Sequence, residues 1–567
     1  MSKFTTNHQS CRLLADLLVE YGVENVVLSP GSRNAPLVVA VARKDELRKF
    51  VIVDERSAAF AAVGMALQTS KPVAIVCTSG SAVLNYAPAV AEAKYRNLPL
   101  IVVSADRQAE WIDQNDSQTI QQYQILENVV LRSVDIPAYY DHDDTKWWIG
   151  NQINDALQCA TAGVKGPVHI NIRLKEPLNG VCPCTPSRRA VRALPLTKSL
   201  AESDLQSLAK IFMESRRVMI LATQTQPSPR LAQMMRQFSS MPQVTVLSES
   251  ISNIGGGNVI SCIDRTITAH DGDLTADFAP DLLITFGGAP VSRMIKRFLR
   301  AHSRQHEWRI GEDSNLIDTM QHVTCLISMN CEQFFEQFLK LVSPQNFSES
   351  YAEKWQDLNR KGRESHDVYA GSGEWTAMRA FDVIFPSIPN DYNLHLSNGT
   401  SIRYAQLFDN YHPLRCDCNR GVSGIDGSTS TALGASLVSE NPTLLITGDM
   451  SFSYDLNGIA SQYNHKNFKI IVMCNGGGGI FRFIPSTSAL PELEQYFEVQ
   501  RDFPAVDVAR ALGYTCFEAS NEAQLKAQLP QFYECHQPAL LAVRTDGEAD
   551  AALLKRYMRR NCTANND

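Results

Sequence analysis

Short runs rich in Val, Ile and Leu recur along the chain, each ending in small or polar residues and followed by an amphipathic stretch. They are NVVLSPGSR (25–33), PVAIVCTSGS (72–81), PLIVVSADR (99–107), RRVMILATQTQ (216–226), PDLLITFGGAP (280–290), PTLLITGDMS (442–451) and FKIIVMCNGG (468–477). Unbroken apolar runs of this length read as buried strands of parallel sheets, and the stretches between them as covering helices. The expected fold class is therefore α/β. Ligands of such sheets lie beyond the carboxyl ends of the strands, so the informative residues should sit in the turns after these runs.

The pattern also repeats. LSPGS (28–32) faces LSNGT (396–400), AVGMAL (62–67) faces ALGASL (432–437), IVCTSGS (75–81) faces LLITGDMS (444–451), and IVVSAD (101–106) faces IVMCNG (471–476), all at one offset. Such self-similarity implies two related α/β domains flanking a third. The polar, proline-containing stretch 181–199 reads as a first linker, and 340–375, polar and without a strand signal, as a second connection. The expected domains are 1–185, 195–345 and 375–567.

Composition narrows the classes. With 567 residues the chain can bury large cores, and its net charge of -7 argues against a general nucleic-acid binder. No run reaches the length of a membrane span, and the opening MSKFTTNHQSCRLLADLL is too polar for a signal peptide, so a soluble cytoplasmic protein is expected. The 14 cysteines are scattered without a Cys-x-x-Cys pair, which favours buried thiols over disulfides or zinc. His302 and His306 could share a helix face, yet no third ligand accompanies them.

The sharpest candidate chemistry is in the last third. Gly448-Asp449 ends one apolar run, and Asn475, followed by Gly476, Gly477, Gly478 and Gly479, ends the next. A carboxylate and a side-chain amide at neighbouring strand ends supply hard oxygen ligands for magnesium, which keeps water and substrate phosphates as well. Glycines just beyond allow close backbone approach to a phosphate. Tight strand-to-helix turns also use glycine, so the loop alone decides nothing. In the first third Glu55 stands between FVIV (50–53) and a helix of small residues. Its residue-level reading is open between a buried functional carboxylate and a helix-start acid interacting with the dipole.

Gly-Asp, about two dozen residues, then Asn and glycines resembles the metal-diphosphate motif of thiamine diphosphate enzymes. Those enzymes combine a pyrimidine-binding domain, a middle domain and a diphosphate-binding domain, which the resemblance assigns to the three spans above. It implies that Asp449, Asn475 and the Gly477 carbonyl hold Mg2+ (or Mn2+). Gly399, Ile425, Gly448, Met450, Ser451, Gly478 and Ile480 would join them around the thiamine diphosphate. It also implies that Glu55 bonds the aminopyrimidine ring and promotes loss of the thiazolium C2 proton. One departure is Cys474, where the motif often has a first asparagine. Because the two cofactor-binding domains of such enzymes usually come from different subunits, a homodimer or homotetramer is implied.

Arginines at or just past strand ends bear on the reaction: Arg33, Arg107, Arg293, Arg403 and Arg420. Guanidinium forks pair bidentately with carboxylates, so the array suits two multiply carboxylated substrates. The segments SPGSRNAPL, DERSAAF, SADRQAEWIDQNDSQTI, NRGVSGIDGSTSTALG and GDMSFSYDLNG resemble the 2-succinyl-5-enolpyruvyl-6-hydroxy-3-cyclohexene-1-carboxylate synthase family of menaquinone biosynthesis. That resemblance implies decarboxylation of 2-oxoglutarate and 1,4-addition of the remaining fragment to isochorismate. By position, Ser32, Arg33, Arg107, Gln118 and Arg293 would contact isochorismate, and Arg403 and Arg420 would contact 2-oxoglutarate. Ile425 would support the cofactor from beneath, with Ile480 and Phe481 lining the pocket. The sequence departs from the family at Gly399, where a serine is common, and at Arg293, where a lysine is common; Arg297 competes for the latter role. Another thiamine diphosphate decarboxylase or carboligase, or a catalytically silent ligand-binding member, are the alternatives.

Overall fold

The computed structural model describes residues 4–138, 141–184, 190–194, 197–313, 315–371, 373–463 and 467–559. The expected domain boundaries at 185 and 195 lie outside them. Every one of the seven apolar runs forms a strand, and most of these strands are buried along their whole length. Helices cover the sheets, so the central strands are apolar on both faces.

Three parallel sheets result. The first orders its strands Arg48–Val51, Asn25–Leu28, Val73–Cys77, Leu100–Asp106, Val168–Arg173 and Arg132–Ile136. The last orders its strands Arg415–Cys418, Asn393–Leu396, Thr443–Gly448, Phe468–Cys474, Ala539–Arg544 and Thr515–Ala519. Numbered along the chain, both run 2-1-3-4-6-5, the same topology twice. The middle sheet has five strands, in the order Val244–Ser248, Val218–Ala222, Leu282–Phe286, His306–Ile310 and Cys325–Ile327.

By packing, the chain divides into two compact units. One comprises residues 1–196 with 419–443 and 454–468; the other comprises 197–418, 444–453 and 469–567. Within the first unit the helix Glu55–Thr69 packs on the helix Ser428–Val438. A Cβ on Gly64 would fall 1.9 Å from the Thr431 carbonyl oxygen, and one on Gly434 would fall 1.9 Å from that of Ala61. These are the glycines that the repeat aligned, AVGMAL with ALGASL. Each repeat contributes one glycine, and the two backbones touch where a side chain on either would stand.

Two readings of connecting segments change, and so does that of a histidine pair. The polar connection 340–375 is mostly the helix Tyr351–Ala370, whose Tyr351, Trp355, Leu358, Gly362 and His366 are buried. A narrow apolar stripe at helical spacing was hidden by the charged residues around it. Within the first linker, Val181–Pro183 pairs antiparallel with Phe4–Thr6. His302 follows the helix Arg293–Ala301 and bonds back to the Phe298 carbonyl, whereas His306 begins a strand, so the two share no helix face.

The described cysteines are all free thiols. Among the described residues no helix is long and apolar enough to cross a membrane.

Candidate active site

In the second unit the strands Thr443–Gly448 and Phe468–Cys474 lie side by side and present Asp449 and Asn475 at their carboxyl ends. Asp449 opens the short helix Asp449–Tyr454. Its Oδ1 accepts the Met450 N–H at 2.7 Å and its Oδ2 accepts the Gly476 N–H at 3.0 Å. Burial pushes its carboxyl up to about 6, and backbone N–H groups, those of Met450, Gly476, Gly477 and Asn475, pull it back. A carboxylate desolvated in this way gains most from a bound cation.

The four glycines have separate reasons. Gly476 and Gly477 have φ of 87° and 142°, which side chains adopt only with strain. Cβ atoms on Gly478 and Gly479 would meet the Phe481 ring at 2.8 Å and the Asn475 Nδ2 at 2.7 Å. The Gly477 carbonyl accepts the Gly479 N–H at 2.9 Å, and the Glu498 carbonyl accepts the Gly478 N–H at 2.8 Å. The backbone is therefore held open on one side by its own turn.

Asn475 and Asp550 line one small cavity. Asp550, buried and pushed up to about 6 by desolvation, is hydrogen-bonded by Thr545 Oγ1 at 2.6 Å and by the Ala377 N–H at 2.6 Å. Among the described residues no group of three or more His, Cys, Asp or Glu could hold a metal. A cation here would thus rely on one carboxylate, an amide oxygen, a backbone carbonyl and oxygens of its own ligand, the donor set expected of magnesium bound with a diphosphate.

Met450, Phe481 and Gly478 converge, the Met450 Cε lying 3.0 Å from where a Gly478 Cβ would be. Ile480 and Phe481 are half-buried in the short helix Ile480–Phe483, and Ser451 is buried. Gly399 has φ of 101°, so its turn requires a glycine where the family often has serine. Arg403, in the helix Ser401–Ala405, offsets the charge of buried Asp264. Asp264 also accepts from Ser292 Oγ, and Ser292 caps the helix that Arg293 begins. The structure thus brings the Arg403 and Arg293 segments to one buried carboxylate. Arg297 is exposed and paired with Asp273.

In the first unit Glu55 is the first residue of its helix and is half-buried. Asp54 caps the helix by accepting the Arg56 N–H at 2.9 Å, and Asn457 Nδ2 donates to the other Asp54 oxygen at 2.5 Å. Burial raises the Glu55 pKa, its own backbone lowers it and the Asp54 charge raises it further. Its charge is felt by buried Cys77 and Tyr86, which mark the surroundings of the carboxyl.

Two arginines of the same unit follow strands of its sheet. Arg33, buried, pairs with Glu176 at 3.1 Å, and Arg107 pairs with Asp116 at 2.8 Å. Desolvation, then the Arg107 cation, lowers the Arg33 pKa. Both guanidinium groups are already ion-paired in this structure. A Cβ on Gly31 would strike the Thr78 side chain at 2.3 Å, and one on Gly80 would lie 3.4 Å from the Gln118 backbone. The Ser32–Arg33 turn, the Thr78–Gly80 turn and Gln118 are therefore neighbours. Arg420 and half-buried Ile425 occupy the segment 419–427 of the same unit.

A network behind Arg107 escaped the sequence reading. Asp106 accepts the Arg107 N–H at 2.7 Å and the Asn171 amide at 2.9 Å, and Asn171 reaches Asp135 at 2.7 Å. Gln122 joins it by donating to Asn171 at 2.9 Å and accepting the Gly80 N–H at 2.7 Å. The signal in the sequence was the alternation of polar His169, Asn171 and Arg173 with apolar residues in VHINIR.

Comparison with known proteins agrees with this geometry. A family model described as the N-terminal TPP binding domain of thiamine pyrophosphate enzymes matches residues 10–125, and one for their C-terminal TPP binding domain matches 398–543. The 2-succinyl-5-enolpyruvyl-6-hydroxy-3-cyclohexene-1-carboxylate synthase of Porphyromonas gingivalis is 40% identical over 554 residues, covering 96% of each chain. The chain belongs to this synthase family. Synthases of the same name from Flavobacterium johnsoniae and Christiangramia forsetii are 37% and 36% identical, over 95% and 96% of this chain and 96% and 97% of theirs. Synthase family membership makes the chain a thiamine diphosphate enzyme, and Asp449, Asn475 and the glycines after it lie inside the matched C-terminal segment.

Proposed function

We propose that the protein decarboxylates 2-oxoglutarate and adds the remaining four-carbon fragment 1,4 to isochorismate. The products would be 2-succinyl-5-enolpyruvyl-6-hydroxy-3-cyclohexene-1-carboxylate and CO2, a step of menaquinone biosynthesis. The observation that supports the choice of substrates is the presence of two arginines at strand ends of one unit, Arg33 and Arg107, each resting on a carboxylate. A simple oxoacid decarboxylase has no use for a second anion site.

Thiamine diphosphate, when bound, supplies the carbon nucleophile and the electron sink. In this reading Asp449, Asn475 and the Gly477 carbonyl hold Mg2+ or Mn2+, while Gly399, Gly448, Met450, Ser451 and Gly478 shape the cavity for the diphosphate. Glu55, its pKa raised by burial, shares a proton with the aminopyrimidine ring. Ser32, Arg33, Arg107, Gln118 and Arg293 orient isochorismate, and Arg403 and Arg420 bind the carboxylates of 2-oxoglutarate. Ile425, Ile480 and Phe481 exclude water from the reacting carbons. The division 1–185, 195–345 and 375–567 belongs to the same reading and is supported by one parallel sheet within each span. We further infer a cytoplasmic homodimer or homotetramer.

Replacing Arg107 with Gln tests the substrate assignment. The variant should raise KM for isochorismate about tenfold or more, the loss of one charge-assisted pair, while 2-oxoglutarate is still decarboxylated without isochorismate. An unchanged KM would remove Arg107 from the site.

A further inference from the structure

Glu92 lies in the helix Ala87–Tyr95 with its side chain sealed from solvent. Its Oε1 accepts the Gly421 N–H at 2.9 Å and its Oε2 accepts the Val422 N–H at 2.8 Å, more than three hundred positions along the chain but in the same compact unit. The contact is tight: a Cβ on Gly421 would stand 2.7 Å from the Glu92 carbonyl oxygen and 2.9 Å from its Oε2. On the other side of Arg420, buried Asn419 donates to Thr431 Oγ1 at 3.0 Å. Arg420 is thus held between two anchors, and the two peptide N–H groups that follow it end on one carboxylate.

A buried carboxylate is an expensive way to hold a loop in place, because desolvation must be offset by hydrogen bonds and opposite charge. Here burial raises the Glu92 pKa, while Arg96, the two N–H groups and Arg420 draw it back. An apolar side chain would pack the helix more cheaply but would leave the two N–H groups without acceptors and the segment without a fixed path. We propose that Glu92 is a positioning residue: by gripping Gly421 and Val422 it preorganises the Arg420 guanidinium for the carboxylate of 2-oxoglutarate. The proposal rests on the assignment of Arg420 to that substrate. Preorganisation acts on affinity by removing the ordering cost at binding.

The test uses the cofactor-loaded enzyme and three variants. Glu92→Gln keeps the shape of the side chain but can accept only one of the two N–H groups. Gly421→Ala leaves Glu92 in place and displaces the segment from it. Arg420→Gln checks the underlying assignment. The expected result is a rise of about tenfold in KM for 2-oxoglutarate in all three, equivalent to about 1.4 kcal/mol, with KM for isochorismate within twofold of the parent. Amide hydrogen exchange of the peptide containing Gly421 and Val422 should be faster in Glu92→Gln, with the rest of the chain unchanged. If Arg420→Gln raises this KM but the other two do not, the positioning role is overturned while the Arg420 assignment stands. If Arg420→Gln itself leaves KM unchanged, the assignment falls and the proposal with it. Equal rises in both KM values together with faster exchange throughout the unit would show a general structural role and also overturn it.

Discussion

Asp455 offers a test of the energetics in the first unit. It is fully buried, and its carboxylate accepts the Ser430 N–H and the Ser430 hydroxyl, each at 2.6 Å, at the start of the helix Ser428–Val438. Burial raises its pKa from 3.8 to about 7; the Ser430 bonds and Arg56 oppose the shift, and Asp54 adds to it. As pH rises from 4 to 7 the unfolded carboxyl ionises while the folded one does not, so stability present at low pH is lost through that window and the loss is complete above about 7. The shift corresponds to about 4 kcal/mol at most. Asp455→Asn preserves both contacts, since the amide oxygen can accept the N–H and the amide nitrogen can donate to the hydroxyl. Urea unfolding of the parent and the variant at pH 4.5, 6, 7 and 8 should show a stability gap that favours the variant, grows with pH and levels off above 7. A gap independent of pH, or a variant less stable at pH 8, would refute the reasoning.

Three further outcomes follow from the geometry. Gly434→Ala places a methyl 1.9 Å from the Ala61 carbonyl oxygen, so the two helices must separate; a loss of about 3 kcal/mol or more in urea unfolding is expected. Gly477→Ala imposes φ of 142° on a side chain and sets a methyl 2.5 Å from the Glu498 carbonyl. It should weaken binding of magnesium and thiamine diphosphate by about tenfold or more in calorimetry, given ~1–3 kcal/mol of strain. Glu55→Gln should nearly abolish exchange of the cofactor's C2 proton, followed by NMR after a deuterium quench; unchanged exchange would remove Glu55 from its role.

Much of this was legible in the sequence because it is local. Strands buried on both faces announce themselves as unbroken apolar runs, and the Gly448-Asp449 and Asn475-Gly476 pairs stand at their ends. The repeat even paired Gly64 with Gly434, although their physical contact was not foreseen. What stayed hidden depends on partners far apart in the chain. Glu92 reads as an ordinary acid on a helix until Gly421 and Val422 meet it, and Asp550 until the Ala377 N–H does. Edge strands such as Arg48–Val51 and Thr515–Ala519 are short and only partly buried, so they lack the apolar run that marks their neighbours. The helix Tyr351–Ala370 was obscured for the opposite reason, its charged exposed face outweighing six buried positions.

The most direct measurement is mass spectrometry of the protein incubated with thiamine diphosphate, magnesium, 2-oxoglutarate and isochorismate, with each substrate alone as control. The account predicts a product whose mass equals both substrates less carbon dioxide, absent when thiamine diphosphate is omitted. Decarboxylation of 2-oxoglutarate with isochorismate left intact would contradict it, as would no change in either substrate.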